Sequence, residues 1–155
     1  MTSLLDEVKN AHKVRAEIYY FLFLELRKEF GVKKAKQIMG TAIYKYGLKK
    51  SKSYGKDKIN NIEKSAKKFC KRTKTKEKIF NTKLRKLTDD KAIIEINTCP
   101  LVERWKEMGL KKNIIKTLCE IANCVDYGTF EGLKLNLEMK STLGEADDCC
   151  TLVLT

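Results

Sequence analysis

Six cysteines stand in this chain of 155 residues: Cys70, Cys99, Cys119, Cys124, Cys149 and Cys150. A thiol can be a nucleophile, a metal ligand or a small apolar filler, and position decides which. Cys99 immediately precedes Pro100, and proline favours the first helical turn. Cys99 is therefore expected at or beside a helix N-cap, where free amides and the positive end of the dipole favour a thiolate. Cys119 shares a helical face with Ile115, Ala122 and Asp126, which puts a thiol and a carboxylate two turns apart. Cys150 has the strand parity of Leu152 and Leu154 and should point inward, while Cys149 goes outward with Thr151. Three thiols and one carboxylate are thus expected to meet. Each keeps a plainer reading, the thiols as core fillers and Asp126 as a cap before Tyr127 and Gly128. Cys124 lies on the polar side of its helix and Cys70 in a lysine-rich one, and neither attracts a role. No Cys-x-x-Cys pair occurs, so the zinc-ribbon signature is missing. His12 is the sole histidine and hence the one candidate for a cysteine–histidine dyad.

The elements that must position these residues change period halfway along the chain. Helical spacing dominates the first half. An aromatic-rich helix over 12–30 (Tyr19, Tyr20, Phe21, Phe23) is expected to be largely buried and to end at Gly31 in a left-handed cap. A second, over 33–46, puts Ala35, Ile38, Met39, Ala42, Ile43 and Tyr46 on one side and ends at Gly47. A third spans 56–71, with Ile59, Ile62, Ala66 and Phe69 as its buried stripe. Strands over 79–87 and 91–97 then flank the turn Thr88-Asp89-Asp90. Two short helices, 100–108 and 113–125, are split by Gly109. After a loop at 128–132, Leu133, Leu135, Leu137 and Met139 alternate with polar residues as a half-buried strand, and a strand over 148–154 closes a second hairpin. The expected fold is α+β: N-terminal helices plus an antiparallel sheet of about four strands, with two short helices between two hairpins. It forms one domain over 1–155, helical to about residue 72 and mixed from 73. No internal repeat is visible.

Charge narrows the partners. Lysine and arginine number 33 against 20 acidic residues, a net charge of +13. About +10 of that lies between Lys49 and Lys78, where 13 basic residues face Asp57, Glu63 and Glu77. Phosphate neutralisation would give a polyanion-binding patch. Lysine outnumbers arginine, though, and arginine is the bidentate reader of phosphate and guanine. A nucleic-acid partner is therefore disfavoured, and much of the lysine is the wet side of the third helix. The longest apolar stretch, residues 18–24, is far too short for the roughly 20 residues a bilayer crossing needs. The start shows no basic region followed by a long apolar run, so the expectation is a cytoplasmic protein without a membrane span. Nothing in the residues fixes an oligomeric state.

One run of residues resembles a known family. Asn97-Thr98-Cys99-Pro100-Leu101-Val102-Glu103-Arg104-Trp105-Lys106-Glu107-Met108-Gly109, then Leu118-Cys119-Glu120, Val125-Asp126-Tyr127-Gly128 and Asp147-Asp148-Cys149-Cys150, resembles the L-2-amino-thiazoline-4-carboxylic acid hydrolase family. Cys149 stands where that family often has tyrosine. Arg15-Ala16-Glu17 and the spacing of Gly31, Ala35, Ile43 and Gly47 are similar too. More distantly the chain is similar to 4-vinyl reductase-like small-molecule-binding domains.

The first resemblance implies hydrolysis of a cyclic amidine-like C–N bond, with a thiazoline carboxylate opened to a carbamoyl-cysteine. Under it, the Cys99 thiolate adds to the amidine carbon and Asp126 handles protons. Arg15 binds the substrate carboxylate, with His12 and Trp105 as further substrate contacts. In a second route Cys99, Cys119 and Cys150 hold zinc or iron and leave a position open for water. The rival reading is a non-catalytic domain that uses the same cysteines to hold a small molecule or a metal.

Overall fold

The computed structural model describes residues 3–71 and 74–155. Met1 and Thr2, on which the reading of the chain's start partly rests, and the expected boundary at Arg72 and Thr73 lie outside the described residues. The first helix, α1, runs Leu4–Ser51. It begins earlier than the apolar spacing indicates because Ser3 and Asp6 form a capping box. The Ser3 hydroxyl accepts from the Asp6 amide at 3.2 Å, and the Asp6 carboxylate accepts from the Ser3 amide at 3.3 Å. Such a box satisfies amides that would otherwise be orphaned. At Gly31 the helix breaks, with φ 76° and ψ 165°, a conformation glycine reaches without the steric cost a Cβ imposes. The two expected helices are therefore two arms, 4–30 and 32–51, folded back on one another. Ala16 and Phe23 of the first arm share one core with Ala35 and Met39 of the second.

Gly47 does not end the second arm. It lets that arm cross α5 (Lys112–Gly132) at backbone contact. A Cβ on Gly47 would stand 2.9 Å from the Thr129 amide nitrogen and collide with the Val125 carbonyl, and one on Gly128 would strike the Tyr44 carbonyl. Residues 128–132, expected as a loop, are accordingly the last turn and a half of α5. The crossing needs helix there, and the glycines are its contact points.

The lysine-rich segment begins as two 3-10 turns, Lys52–Tyr54 and Lys56–Lys58, followed by α2 (Ile62–Cys70), which buries Ala66 and Phe69 as its spacing predicts and leaves Ile59 exposed outside the helix. A further helix, α3 (Lys74–Phe80), occupies the start of what reads as a strand and buries Ile79. Strands β1 (Thr82–Leu87) and β2 (Ala92–Ile96) form the first hairpin. Helix α4 (Pro100–Glu107) and α5 follow, then β3 (Leu137–Ser141) and β4 (Cys150–Leu154). Leu133 and Leu135 are buried, as their alternation predicts, but in the turn that leaves α5 rather than in the strand.

The sheet has four antiparallel strands in the order β1-β2-β4-β3, so the α+β class and its antiparallel sheet stand as expected. Two apolar cores result. One lies between the sheet and α2, centred on Phe69, Ile94, Phe130 and Leu152. The other lies between the arms of α1 and α4 with α5, centred on Phe23, Trp105, Leu118 and Ile121. The first arm is less buried than its aromatics suggest. Phe23 is fully enclosed, whereas Phe21 lies on the outer face of the same helix.

Candidate functional site

Where the two cores meet, the packing leaves a partly enclosed cavity of about 160 Å³. His12 and Arg15 of the first arm and Tyr46 and Lys50 of the second form one wall, and Phe69, Cys70, Lys76, Glu77 and Phe80 another. Ile96, Cys99, Leu101, Val102 and Trp105 complete it, with Cys119, Ala122, Asn123, Val125 and Asp126 from one face of α5 and Cys150 from β4. The geometry thus brings Cys99, Cys119, Cys150 and Asp126 to one hollow, with all three expected contact residues around it. Cys149 stays outside the lining and Cys124 lies on the opposite face of α5 against Gly40.

Burial works against a thiolate at each of these thiols. Cys99 is the N-cap of α4, its carbonyl accepting from the Glu103 amide at 2.9 Å. Burial pushes its thiol above the ordinary value. The amides of Val102 and Leu101 and the charge of Arg15 pull the other way and lose. Helix-start stabilisation of a thiolate, sound in water-accessible sites, is here outweighed by desolvation. Burial, reinforced by Cys99, raises Cys119 to about 11 although Asn123 donates to its sulfur at 3.7 Å. Burial raises Cys150 to about 12, against the Leu143 amide that donates to its sulfur at 3.3 Å. At all three positions burial favours the S–H form over the thiolate.

Charged groups ring the same hollow. His12 is held down to about 4 by burial, then by Arg15 and Lys76, and its ring stands edge-on to Phe80 at 5.2 Å. The Lys50 ammonium is 3.9 Å from Asp126. The Arg15 guanidinium lies over Tyr19, 5.9 Å from the ring centroid, and has no acidic partner among the described residues. Trp105 is fully buried and donates its indole N–H to the Ala16 carbonyl at 2.9 Å, so it pegs α4 to the first arm while its ring lines the cavity. Sequence reasoning missed Cys70, Tyr46, Lys50 and Lys76 as lining residues. Cys70 is next to buried Phe69, a signal that its side chain goes inward.

Residues 11–154 match the model of the L-2-amino-thiazoline-4-carboxylic acid hydrolase family. No match to a curated protein sequence is found. Among solved structures, the chain is similar to a trafficking protein particle complex subunit 3 from Naegleria fowleri, crystallised covalently bound to palmitic acid. The TM-score is 0.65 at 15% identity, covering 94% of this chain and 95% of that one. At that identity the likeness establishes the fold.

These findings correct the expectation of a hydrolase that opens a cyclic amidine-like C–N bond. A solved structure that shares the fold is a lipid-bound trafficking subunit, not a hydrolase. Among the described residues no group of three or more His, Cys, Asp or Glu side chains is arranged to hold a metal ion. The chemistry agrees. A proton would have to leave a thiol raised above its usual range for an imidazole near 4, and Asp126 is engaged by Lys50. No helix of the described chain is long and apolar enough to cross a membrane.

Proposed function

The chain belongs to the L-2-amino-thiazoline-4-carboxylic acid hydrolase family, and we propose that within it this chain is a non-catalytic domain that holds a compact, mostly apolar molecule carrying one anionic group. The observation that carries this reading is the cavity itself. Its lining includes apolar side chains and buried thiols, and the guanidinium of Arg15 among them lacks an acidic partner among the described residues. An unpaired guanidinium beside an apolar hollow suits a carboxylate whose hydrocarbon part enters the hollow. Neutral thiols are soft, weakly polar lining for such a chain.

Size sets the ligand class. A cavity of about 150 Å³ is enough for benzene, so a saturated chain of roughly six to eight carbons suits the 160 Å³ hollow. The palmitic acid of the trafficking subunit supports an acyl ligand in this fold, and a void of about 160 Å³ favours a short one. Six free cysteines fit a reducing, cytoplasmic setting.

Native mass spectrometry of untagged protein, followed by calorimetric titration with straight-chain carboxylates of graded length, tests the reading. Binding that peaks at medium chain length and falls at least tenfold in Arg15→Ala is expected. Binding indifferent to Arg15, no binding at any length, or stoichiometric zinc or iron that disappears in Cys99→Ala would overturn it.

A further inference from the structure

Between Lys56 and Lys71 stand six lysines against two carboxylates, Asp57 and Glu63. Helix α2 buries Ser65, Ala66, Phe69 and Cys70 and leaves Lys64, Lys67 and Lys68 exposed, with exposed Lys71 just past its end. Steps of three and four put these lysines on one helix face. Asp57 ties the preceding turn to that face, because its carboxylate lies 2.8 Å from the Lys58 ammonium and 3.7 Å from that of Lys64. Glu63 pairs with Lys67. Both acids are thereby spent, and Lys56, Lys68 and Lys71 keep no acidic partner among the described residues.

An apolar side chain stands out beside these cations. Ile59 is 42% accessible, yet its turn is pinned on both sides. The Asn60 amide donates to the Leu133 carbonyl at 2.7 Å, and the Ser65 hydroxyl donates to the Lys58 carbonyl at 2.8 Å. Lys134, exposed and next in sequence to Leu133, adds a further cation at this turn.

We propose that this face docks on the surface of a bilayer bearing anionic lipids, with the lysines over the headgroups and Ile59 entering the interface. Charge complementarity selects an anionic partner, and the make-up of the face selects a membrane over nucleic acid. Every cation from Lys56 to Lys71 is a lysine, a flexible point charge that suits a fluid array of headgroups, without the arginine fork that reads phosphate and guanine. The aromatic rings of the segment, Tyr54 and Phe69, are each only 4% accessible, so none is offered for a base to stack on. An isoleucine gains nothing against a phosphate backbone, whereas it gains by leaving water at a lipid interface. Helix α2 meets the cavity through Phe69 and Cys70, not through these lysines, so the proposal does not depend on what the cavity holds.

Flotation of the full chain with vesicles of phosphatidylcholine, with and without about 30% phosphatidylserine, at roughly 100 mM salt tests it. Binding to the anionic vesicles alone is expected, falling at least tenfold at roughly 500 mM salt. Lys68→Glu with Lys71→Glu should weaken it at least tenfold, and the milder Lys68→Gln with Lys71→Gln should weaken it in the same direction by less. Ile59→Ser should cost about threefold. Lys111→Glu with Lys112→Glu, an equal change of charge in the exposed turn before α5, should cost less than threefold. All these positions are on the surface, and circular dichroism checks that each variant keeps its helix content. No vesicle binding, equal binding to neutral vesicles, equal loss in the two Glu double variants, or undiminished binding by Ile59→Ser overturns the proposal. So does capture of single-stranded RNA, lost in Lys68→Glu with Lys71→Glu, by a chain that ignores the vesicles.

Discussion

Gly128 lies against the backbone of Tyr44 so closely that a Cβ built on it would stand 3.0 Å from the Tyr44 carbonyl carbon and collide with the oxygen. The neighbour is main chain in mid-helix and cannot swing aside. Gly128→Ala should therefore cost about 3 kcal/mol or more, at the upper end of overpacking penalties. Gly31→Ala, where nothing lies within 4 Å and only the positive φ resists, should cost about 1 to 2 kcal/mol. Urea unfolding of the two variants beside the parent checks the order.

His12 links stability to pH. Its folded value near 4 lies below the ordinary 6.5, so between those values the unfolded chain binds the extra proton. Stability from this group is complete above about pH 6.5 and is lost as pH falls toward 4. With solvent reaching the half-exposed ring, the loss should be about 1 to 2 kcal/mol. As the sole histidine, it should give one imidazole resonance titrating near 4, and His12→Gln should flatten the stability profile in that window. A midpoint near 6.5 would contradict the burial of the ring.

The cavity thiols should be sluggish. With Cys119 near 11 and Cys150 near 12, alkylation by iodoacetamide at pH 7 should be slower than for an ordinary exposed cysteine by tenfold or more. The rate should climb steadily to strongly alkaline pH, and peptide mapping assigns it to each residue. Cys99 modified within minutes at pH 7 would restore the case for a nucleophile.

Trp105→Phe removes the indole bond to the Ala16 carbonyl and leaves space beside the cavity. The expected loss is about 2 kcal/mol, from a hydrogen bond and a small void together, with carboxylate binding weakened as the wall of the hollow relaxes. Denaturant unfolding and calorimetry on the same variant separate the two effects.

Much of this was legible in the residues because the signals were local. Pro100 marked the start of α4 and the N-cap position of Cys99. The spacing of Cys119, Ala122 and Asp126 placed them on one face, and strand parity sent Cys150 inward. Gly31 broke the first helix as its freedom at positive φ predicts. Gly47, Gly128 and Gly132 misled because glycine has two uses, ending a helix and letting two helices touch. Only the partner across the crossing tells which applies. The same limit explains Cys99. Its helix-start position was readable, but the desolvation that outweighs it depends on α1 and α5 arriving from far along the chain. Phe21 read as core because the stripe that faces outward is as apolar as the one that faces in.

The place of β4 between β2 and β3 bears on how the molecule assembles. Its partner β2 precedes it by the whole of α4, α5 and β3, so the centre of the sheet is stitched by the most distant of the strand pairings, while each hairpin and the broken helix can form from neighbours. Loop closure over such a separation is slow. The cavity cannot exist until that join is made, because Cys150 at one end of β4 is part of its lining. Refolding followed by a cavity-bound ligand should therefore lag behind the return of helical signal.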